Sequence, residues 1–439
     1  MKKNARSAAF EALERCRKDS AWSSAVLDNA IRAYELSPRD AALASRLCLG
    51  ILQNESYLDY YIGLFSRGKL DPKVRQVLRI GAYQLLFLDK VPAHAAVSES
   101  VELCREAGLD RASSLVNAVL RRLSESREDL PPLPGPGSPS YLALRWSHPL
   151  WLAEKLVRES GYAFTEAFFR ANNDTPPLCI QVNRLRIDPE QYMRSLQRAS
   201  VSFRFFPELP GCLELEGGRV PELPGYEEGL FYVQDRAARS AVQAAGVRPG
   251  MTILDACSAP GGKSFAAALD AEGNCKIVSC DLHEKKLRLV LSGAERLGID
   301  SCIETHPADA RAFRPDWDSS FDLVFADVPC SGMGVIRKHP EIRRKSEADI
   351  ASLPRIQADI LENLSRYVKP GGVLLYSTCT VLPEENVAQI SSFLRLHPEY
   401  SWEDFSIGGA SSRQGCRDFW PQTDGTDGFF AAKLRRKTV

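Results

Sequence analysis

Five short apolar runs in the C-terminal half of the chain are the feature that most limits its possible folds. They are MTILDAC, KIVSCD, SCIET, FDLVFAD and GGVLLYST, each bounded by turn residues and mostly separated by segments of helical length. Short β-runs that alternate with helices predict a parallel, doubly wound α/β sheet. Ligands bind such sheets outside the carboxyl ends of the strands, so the residues that end these runs are the candidates for a binding site.

The N-terminal part of the chain has a different period. Residues 5–125 repeat apolar positions at helical spacing, as in DPKVRQVLRIGAYQLLFL, and strand signals are sparse. This pattern predicts a compact all-α domain over 1–128. The proline- and glycine-rich stretch PPLPGPGSPS then predicts an interdomain linker over 129–145.

Residues 146–240 mix both periods. They contain a helix around Trp151–Ser160, an extended segment LCIQVNRLRI and a second helix that begins at Asp188. This order predicts a small α+β insert. The whole chain is therefore predicted to be multi-domain: a helical domain (1–128), a linker (129–145), an α+β subdomain (146–240) and an α/β domain (241–439).

Composition limits the classes of partner. Lys+Arg and Asp+Glu both number 56, so a polyanion such as RNA has to be bound by a local basic patch. No apolar run approaches the ~18–20 residues that cross a bilayer, and the N-terminus lacks the apolar core of a signal peptide, so we expect a cytoplasmic protein without a membrane partner. The twelve cysteines form no CxxC pair and should be reduced thiols, mostly in the core, and we expect no metal.

The first run ends in DACSAPGGKS (255–264), which places an acid, a small-residue turn with Gly261 and Gly262, and a helix start in succession. Free N–H groups at such a helix start bind polar or anionic atoms. Two interpretations compete. A phosphate-binding loop of an ATPase fits except that Cys257 stands at the first glycine position, and FDLVFAD could be its second acidic motif.

The other interpretation is a nucleoside-binding turn. Asp281 ends the next run and could accept hydrogen bonds from ribose hydroxyls. A nucleoside without pyrophosphate needs no phosphate cradle, so S-adenosyl-L-methionine fits this loop better than NAD or ATP. A purely structural turn is the remaining alternative.

Two further runs end in cysteines, Cys330 in DVPCSG and Cys379 in STC. A single cysteine is more often a small core residue. Cysteine is also the best side-chain nucleophile near neutral pH, and a nearby cation such as Lys263 would enrich its thiolate. Two cysteines at strand ends of one sheet therefore favour a catalytic interpretation.

A methyl donor beside two thiols suggests methylation of a pyrimidine. C5 of a pyrimidine is a poor nucleophile until a thiolate adds to C6, after which the enamine attacks the methyl group. A carboxyl group at N3 assists this addition by stabilising the developing charge, and Asp327 is suitably placed. The base has to be unpaired to expose its ring face.

Two features could contact a nucleic acid. The basic run VIRKHPEIRRK (335–345) follows Cys330 and is either a solvated face or a set of phosphate contacts. Four aromatic residues could either stack on bases or belong to the hydrophobic core: Trp146, Phe203, Phe205 and Phe206.

Together, DACSAPGGKS, DVPCSGMGV, YSTCTVLPEEN and DGFFAAKL make residues 146–439 resemble an RNA 5-methylcytosine methyltransferase of the class with two active-site cysteines. VPAHAAVSESVEL and SLVNAVLRR make 1–125 resemble the NusB-like extension of the ribosomal RNA small subunit methyltransferase B (RsmB/Sun) family. The resemblance implies a Rossmann-like class I methyltransferase domain, an RNA-binding insert, S-adenosyl-L-methionine as donor and small-subunit (16S) ribosomal RNA as partner.

The resemblance also implies residue roles. Cys379 matches the nucleophile that bonds C6, Cys330 the thiol that releases product, and Asp327 the acid that faces the cytosine edge and the donor. The implied donor contacts are Cys257, Ser258, Ala259, Pro260, Gly261, Gly262, Lys263, Asp281, Asp309 and Asp327. We expect a monomer. Alternatives from other classes are a P-loop-like ATPase and a non-catalytic RNA-binding or antitermination module, and within the enzyme class the target could be tRNA.

Overall fold

The chain forms two compact units in a computed structural model that describes residues 2–19, 22–407, 410–412 and 414–438. The first unit comprises Met1–Asp174 and Ile336–Glu347, and the second comprises Thr175–Val335 and Ala348–Val439. The chain therefore leaves the second unit once and returns to it.

The first unit is helical, as the 3.6-residue period predicted. Its helices are α1 (Ala5–Asp19), α2 (Ser23–Ala33), α3 (Pro38–Gln53), α4 (Glu55–Phe65), α5 (Pro72–Phe87), α6 (Ala93–Glu106), α7 (Ser113–Glu125), α8 (Pro139–Arg145), α9 (Leu150–Ser160) and α10 (Tyr162–Ala171). Side-chain caps fix several starts: Ser37 accepts from Asp40 N, and Asp71 accepts from Lys73 N and Val74 N. The apolar faces meet in one core that includes Leu13, Leu47, Ile51, Val77 and Leu120.

The predicted linker is only partly irregular. Helix α8 begins at Pro139, where Ser138 caps the helix by accepting from Tyr141 N. Proline fits the first turn of a helix because its missing N–H has no partner there. Helices α9 and α10, which the sequence assigned to the insert, belong to the helical unit.

The insert has the α+β fold that the sequence predicted. It contains β1 (Leu178–Val182), α11 (Pro189–Arg198), β2 (Phe203–Phe205), β3 (Cys212–Leu215) and β4 (Phe231–Val233). The strands form an antiparallel sheet in the order β2-β3-β1-β4. Asp188 caps α11, so this helix begins where the sequence placed it.

The remainder of the second unit is a large sheet with helices. Its strands are β5 (Thr252–Asp255), β6 (Lys276–Asp281), β7 (Ile303–Pro307), β8 (Phe321–Asp327), β9 (Val368–Thr378), β10 (Tyr400–Trp402), β13 (Cys416–Phe419) and β14 (Phe429–Arg436), and β11 (Ser406–Ile407) with β12 (Ala410–Ser411) forms a separate hairpin. The helices are α12 (Arg236–Ala245), α13 (Gly262–Asp270), α14 (Glu284–Leu297), α15 (Glu347–Ile350), α16 (Leu353–Ser365), α17 (Val387–Leu396) and α18 (Pro421–Asp424).

The five predicted runs form the parallel part of this sheet, in the order β9-β8-β5-β6-β7. This confirms the Rossmann-like α/β prediction. The sheet is mixed, however, because β14 pairs antiparallel with β9, and both β10 and β13 pair with β14. The parallel order brings the carboxyl ends of β5, β6, β8 and β9 to one edge, where Asp255, Asp281, Asp327 and Thr378 are the last strand residues.

Candidate active site

A tight turn connects β5 to α13 and forms one side of the site. Gly261 has φ +113° and is the N-terminal cap of α13. A Cβ at this position would lie 2.4 Å from the ring of Phe265, so the turn requires glycine there. Ser258 is buried and donates from its Oγ to the carbonyl of Cys280, which ties the turn to the end of β6. In the same turn Pro260 is exposed, and Gly262 is half-buried.

A cavity of about 450 Å³ opens beside this turn. Five of the residues that the sequence singled out line it: Cys257, Ala259, Asp281, Asp309 and Asp327. The apolar part of the wall, which includes Leu282, Ile356 and Ile360, was not predicted from the sequence. A cavity of this volume, with a mostly apolar wall and a few hydrogen-bond acceptors, suits a small organic ligand such as a nucleoside.

The cavity wall contains the carboxyl groups of Asp281 and Asp309. Asp281 is buried at the end of β6, and its Oδ1 accepts from His283 N at 2.9 Å and lies 3.7 Å from Lys286 Nζ. Asp309 accepts from the backbone and guanidinium of Arg311, and these hydrogen bonds lower the pKa of Asp309. Both side chains can present carboxylate oxygens to a ligand.

Burial raises the pKa of two acidic groups near the turn. Desolvation, followed by the charge of Asp327, raises the pKa of Cys257 above its usual range, so this cysteine remains a thiol. Complete burial likewise raises the pKa of Asp255 to about 6, although Ser264 donates a hydrogen bond to its Oδ2. The neutral Cys257 thiol is therefore not a candidate nucleophile.

Asp327 connects the cavity to the cysteine loops. Its Oδ2 lies 2.7 Å from Lys263 Nζ, and its Oδ1 accepts from Ser377 Oγ at 2.7 Å. Lys263 is buried, and its ammonium also lies 5.2 Å from the ring centre of Phe429. Ser377 was not predicted as a site residue from the sequence, although it precedes Cys379 by two residues and pairs with Asp327 across the sheet.

The two cysteines that the sequence singled out are in direct contact. Cys330 Sγ and Cys379 Sγ lie 3.2 Å apart, both half-buried, and all twelve cysteines are free. The hydrogen bond with Cys379, then burial, and then the charges of Cys379 and Glu385 raise the pKa of Cys330 well above its usual range. Cys330 is therefore held as a thiol that can donate its proton to the sulfur of Cys379.

Hydrogen bonds hold the two cysteine loops side by side. Ser331 and Thr380, each next to a cysteine, share a hydroxyl hydrogen bond of 2.7 Å. Gly334 N donates to Cys379 O at 3.0 Å, and a Cβ on Gly334 would lie 1.9 Å from Gly428 O. Sequence patterns could not reveal these links because each joins residues about 50 positions apart.

The basic run 335–345 is neither a solvated face nor an open set of phosphate contacts along its length. Arg337 and Arg343 are buried. Arg343 donates to Gln53 O, Asn172 O and Asn173 Oδ1, and Arg344 pairs with Glu55 at 2.9 Å. Both sequence-based interpretations are therefore wrong for the buried Arg343, which holds Ile336–Glu347 within the helical unit, whereas Arg344 is exposed.

The four aromatic candidates for base stacking differ in their exposure to solvent. Phe206 is buried, with the guanidinium of Arg236 at 4.1 Å from its ring centre, so it belongs to the core. Phe205 is 53% exposed, and Trp146 and Phe203 are half-buried. Only Phe205 among these four offers an open ring face.

No helix in the described part is long and apolar enough to cross a membrane. Nor do the described residues contain three His, Cys, Asp or Glu side chains grouped as metal ligands.

Three family models match the chain. The model of the 16S rRNA methyltransferase RsmB/F family matches residues 243–435, that of the NusB family matches 3–125, and that of the RsmF/B-like methyltransferase ferredoxin-like domain matches 148–220. The first range spans the strands of the α/β sheet, the second spans α1 to α7, and the third spans α9, α10 and the insert as far as β3. The match to the NusB family confirms the NusB-like fold that was predicted for residues 1–125 from their sequence.

Curated relatives match over nearly the whole chain. The ribosomal RNA small subunit methyltransferase B of Erwinia tasmaniensis is 36% identical over 93% of this chain and 94% of its own. The protein of the same name from Cronobacter sakazakii is 33% identical over 99% of both chains.

Among solved structures, one titled PH0851 superposes with a TM-score of 0.85 at 26% identity and covers 99% of both chains. NSun6 from Pyrococcus horikoshii with SFG superposes with a TM-score of 0.59 at 21% identity, over 64% of this chain and 97% of that chain. The second likeness concerns the fold alone.

Proposed function

The chain belongs to the ribosomal RNA small subunit methyltransferase B family, and on that premise we propose that it transfers a methyl group from S-adenosyl-L-methionine to C5 of a cytosine in small-subunit ribosomal RNA. The observation that carries the chemistry is the thiol pair, Cys330 Sγ and Cys379 Sγ at 3.2 Å, at the same sheet edge as the cavity. The class of RNA is inferred from the names of the relatives, and the type of reaction is inferred from the two thiols.

The cavity suits the proposed donor. Asp281 offers a carboxylate to ribose hydroxyls, Asp309 lies in the same wall, and Cys257 with Ala259 forms the turn side. When bound, S-adenosyl-L-methionine supplies an electrophilic methyl group on a sulfonium. The raised pKa of Cys257 fits this role, because a neutral thiol in the wall does not compete for that methyl group.

Cys379 starts the reaction on the base. Its thiolate adds to C6 of the cytosine, and the electron pair of the C5–C6 double bond becomes available at C5 for the methyl group. Asp327, positioned by Lys263 and Ser377, assists this addition as the carboxylic acid: it donates its proton to N3, which takes up the charge that the addition generates, and the resulting carboxylate is stabilised by Lys263. Lys263 acts as a positioning residue, since its ammonium pairs with Asp327.

Release of product reverses the addition. A base takes the C5 proton, the C5–C6 double bond reforms, and the C6–S bond breaks with its electrons returning to Cys379. The Cys330 thiol donates a hydrogen bond to this departing sulfur, for which its contact distance and raised pKa are suited. The two cysteines therefore differ in role: one bonds the base and the other frees it.

The ATPase alternative requires a lysine directed at phosphates. Lys263 is instead buried in an ion pair with Asp327, and Lys286 and Arg311 in the cavity wall are paired with Asp281 and Asp309. Labelled S-adenosyl-L-methionine should therefore bind, and ATP should not.

The first prediction concerns the two cysteines. The Cys379→Ala variant should give neither 5-methylcytosine nor a covalent complex with unmodified ribosomal RNA and donor, and Cys330→Ala should accumulate a protein–RNA complex that survives denaturant. Denaturing gel electrophoresis detects the complex, and mass spectrometry of the digested RNA detects the methylated base. Cys104→Ala, a buried cysteine of the helical unit, is the matched control and should turn over normally.

Two results would contradict the proposal. One is normal turnover by Cys379→Ala. The other is a Cys330→Ala complex that separates fully in denaturant while the wild type methylates the same RNA.

A further inference from the structure

Glu385 is a buried carboxylate next to the cysteine loops to which the proposed reaction assigns no role. It lies in the PEEN segment between β9 and α17 and is 1% exposed. Buried carboxylates are rare unless they are paired or hydrogen-bonded. Its partners therefore indicate what it does.

Those partners fix the residues on either side of Cys330. Glu385 Oε2 accepts from Ser331 N at 2.9 Å and from Gln357 Nε2 at 2.8 Å. Gln357 Nε2 also donates to Pro329 O at 3.0 Å. The same carboxylate oxygen of Glu385 therefore binds the residue that follows Cys330 directly. Through Gln357 it is also linked to the residue that precedes Cys330.

The anchor is itself fixed to the strand that carries Cys379. Tyr376 on β9 donates from its hydroxyl to Glu385 O at 2.6 Å. Tyr376 precedes Cys379 by three residues, so the same short segment sets the position of both thiols. The charge of Glu385 is also one cause of the raised pKa of Cys330.

We propose that Glu385 is a positioning residue that holds Cys330 Sγ against Cys379 Sγ and thereby enables release of the methylated base. Charge-assisted hydrogen bonds from a backbone N–H to a carboxylate are stronger than neutral ones, which suits an anchor for a loop. The role in release rests on the proposed function, whereas the role in placing the thiols does not.

The Glu385→Ala variant should behave like Cys330→Ala. Methyl transfer should proceed, release should slow at least about tenfold, which corresponds to about 1.4 kcal/mol, and the denaturant-stable complex should accumulate. Loss of packing alone would instead weaken donor binding and prevent the complex from forming.

The Glu385→Gln variant is the conservative rescue. Glu385 Oε2 makes both hydrogen bonds, and Oε1 has no partner within the described part of the chain. A glutamine can keep its carbonyl oxygen at the Oε2 position, so release should return to within about twofold of the wild-type rate, a difference of a few tenths of a kcal/mol. Gln357→Leu, which removes the hydrogen bonds to Pro329 O and Glu385 Oε2 but keeps the one from Ser331 N to Glu385, is a second variant and should slow release less than Glu385→Ala.

A second measurement needs no RNA. Diamide oxidises two adjacent thiols: both S–H bonds break, an S–S bond forms, and the diazene takes up the two hydrogens as a hydrazine. Peptide mass mapping of the Cys330–Cys379 disulfide should show rapid closure in the wild type and in Glu385→Gln, and closure at least about tenfold slower in Glu385→Ala. Glu295→Ala, which removes an exposed carboxylate from α14, is the control and should close like the wild type.

These measurements separate the two proposals. If Cys330→Ala forms no stable complex, the proposed reaction is wrong, and the diamide rates still judge the placement of Cys330. If Cys330→Ala forms the complex but Glu385→Ala releases product and closes the disulfide at wild-type rates, the positioning role is wrong. Failure of Glu385→Ala to bind the donor, combined with wild-type behaviour of Gln357→Leu, would also overturn it.

Discussion

Asp255 shows how one buried side chain makes stability depend on pH. It is fully buried at the end of β5, and burial raises its pKa to about 6 from an ordinary value of 3.8. Between these two values the folded protein binds more protons at this site than the unfolded chain does. Stability contributed by this site is therefore present below about pH 4 and is lost as the pH rises through about 6.

The Asp255→Asn variant should remove this loss. Asparagine keeps an acceptor for Ser264 Oγ and carries no charge. The free energy of unfolding of the variant minus that of the wild type should rise between about pH 4 and pH 6 and then level off, by up to about 3 kcal/mol for a shift of roughly two pKa units. Urea unfolding at a series of pH values measures it. Parallel curves for the two proteins would show that the carboxyl group titrates normally.

At the scale of elements, local patterns predicted the parallel strands well. FDLVFAD and KIVSCD are apolar runs that end in an acid, and they became β8 and β6 with Asp327 and Asp281 at their carboxyl ends. Strand-end position is a local property, so it placed the acids and both cysteines at one sheet edge. The antiparallel insertion of β14 beside β9 was not predicted, because pairing partners are not encoded in a single run.

Other parts of the site could not be predicted for the same reason. Glu385 is one acid in a polar turn, and only its contacts with Ser331 and Gln357, 54 and 28 residues away in sequence, distinguish it. Arg343 looks like a surface cation in a basic run. Its acceptors Gln53 O and Asn172 O lie 290 and 171 residues away, so its burial has no local signal.

The Arg343→Ala variant tests the element Ile336–Glu347. Removing the guanidinium leaves two buried carbonyls and an amide oxygen without their donor, which should cost about 2–4 kcal/mol of the helical unit's stability. Arg344→Ala breaks a partly exposed ion pair and should cost about 1 kcal/mol or less. Urea unfolding followed by circular dichroism measures both.

Salt dependence separates this role from phosphate binding. Because Arg343 is buried, the slope of log affinity for RNA against log salt should not change in Arg343→Ala. A slope reduced by about one, with unchanged stability, would restore the phosphate-contact interpretation.

The whole molecule is built from units that are not continuous in sequence. Ile336–Glu347 is part of the helical unit, although the chain on both sides of it belongs to the other unit. The segment supplies Glu341, whose carboxylate accepts from Ser23 N at 3.0 Å and Ser23 Oγ at 2.8 Å at the start of α2. Arg344 of the same segment forms an ion pair with Glu55, and Glu55 also pairs with Arg79. The first 174 residues alone therefore lack part of their own fold.

A fragment of residues 1–174 should consequently be less stable than the same fragment with 336–347 fused after it through a flexible linker of about 20 residues. The fusion restores the cap on α2 and the donor to Gln53 O, and each restored hydrogen bond to a charged group contributes about 1.5–3 kcal/mol. Thermal unfolding should show a clearly higher midpoint for the fusion. A fusion that carries Glu341→Ala, Arg343→Ala and Arg344→Ala is the matched control, because it removes all three of these contacts, and its midpoint should lie close to that of the bare fragment. Equal midpoints for all three chains would mean that the segment does not contribute to the stability of the helical unit.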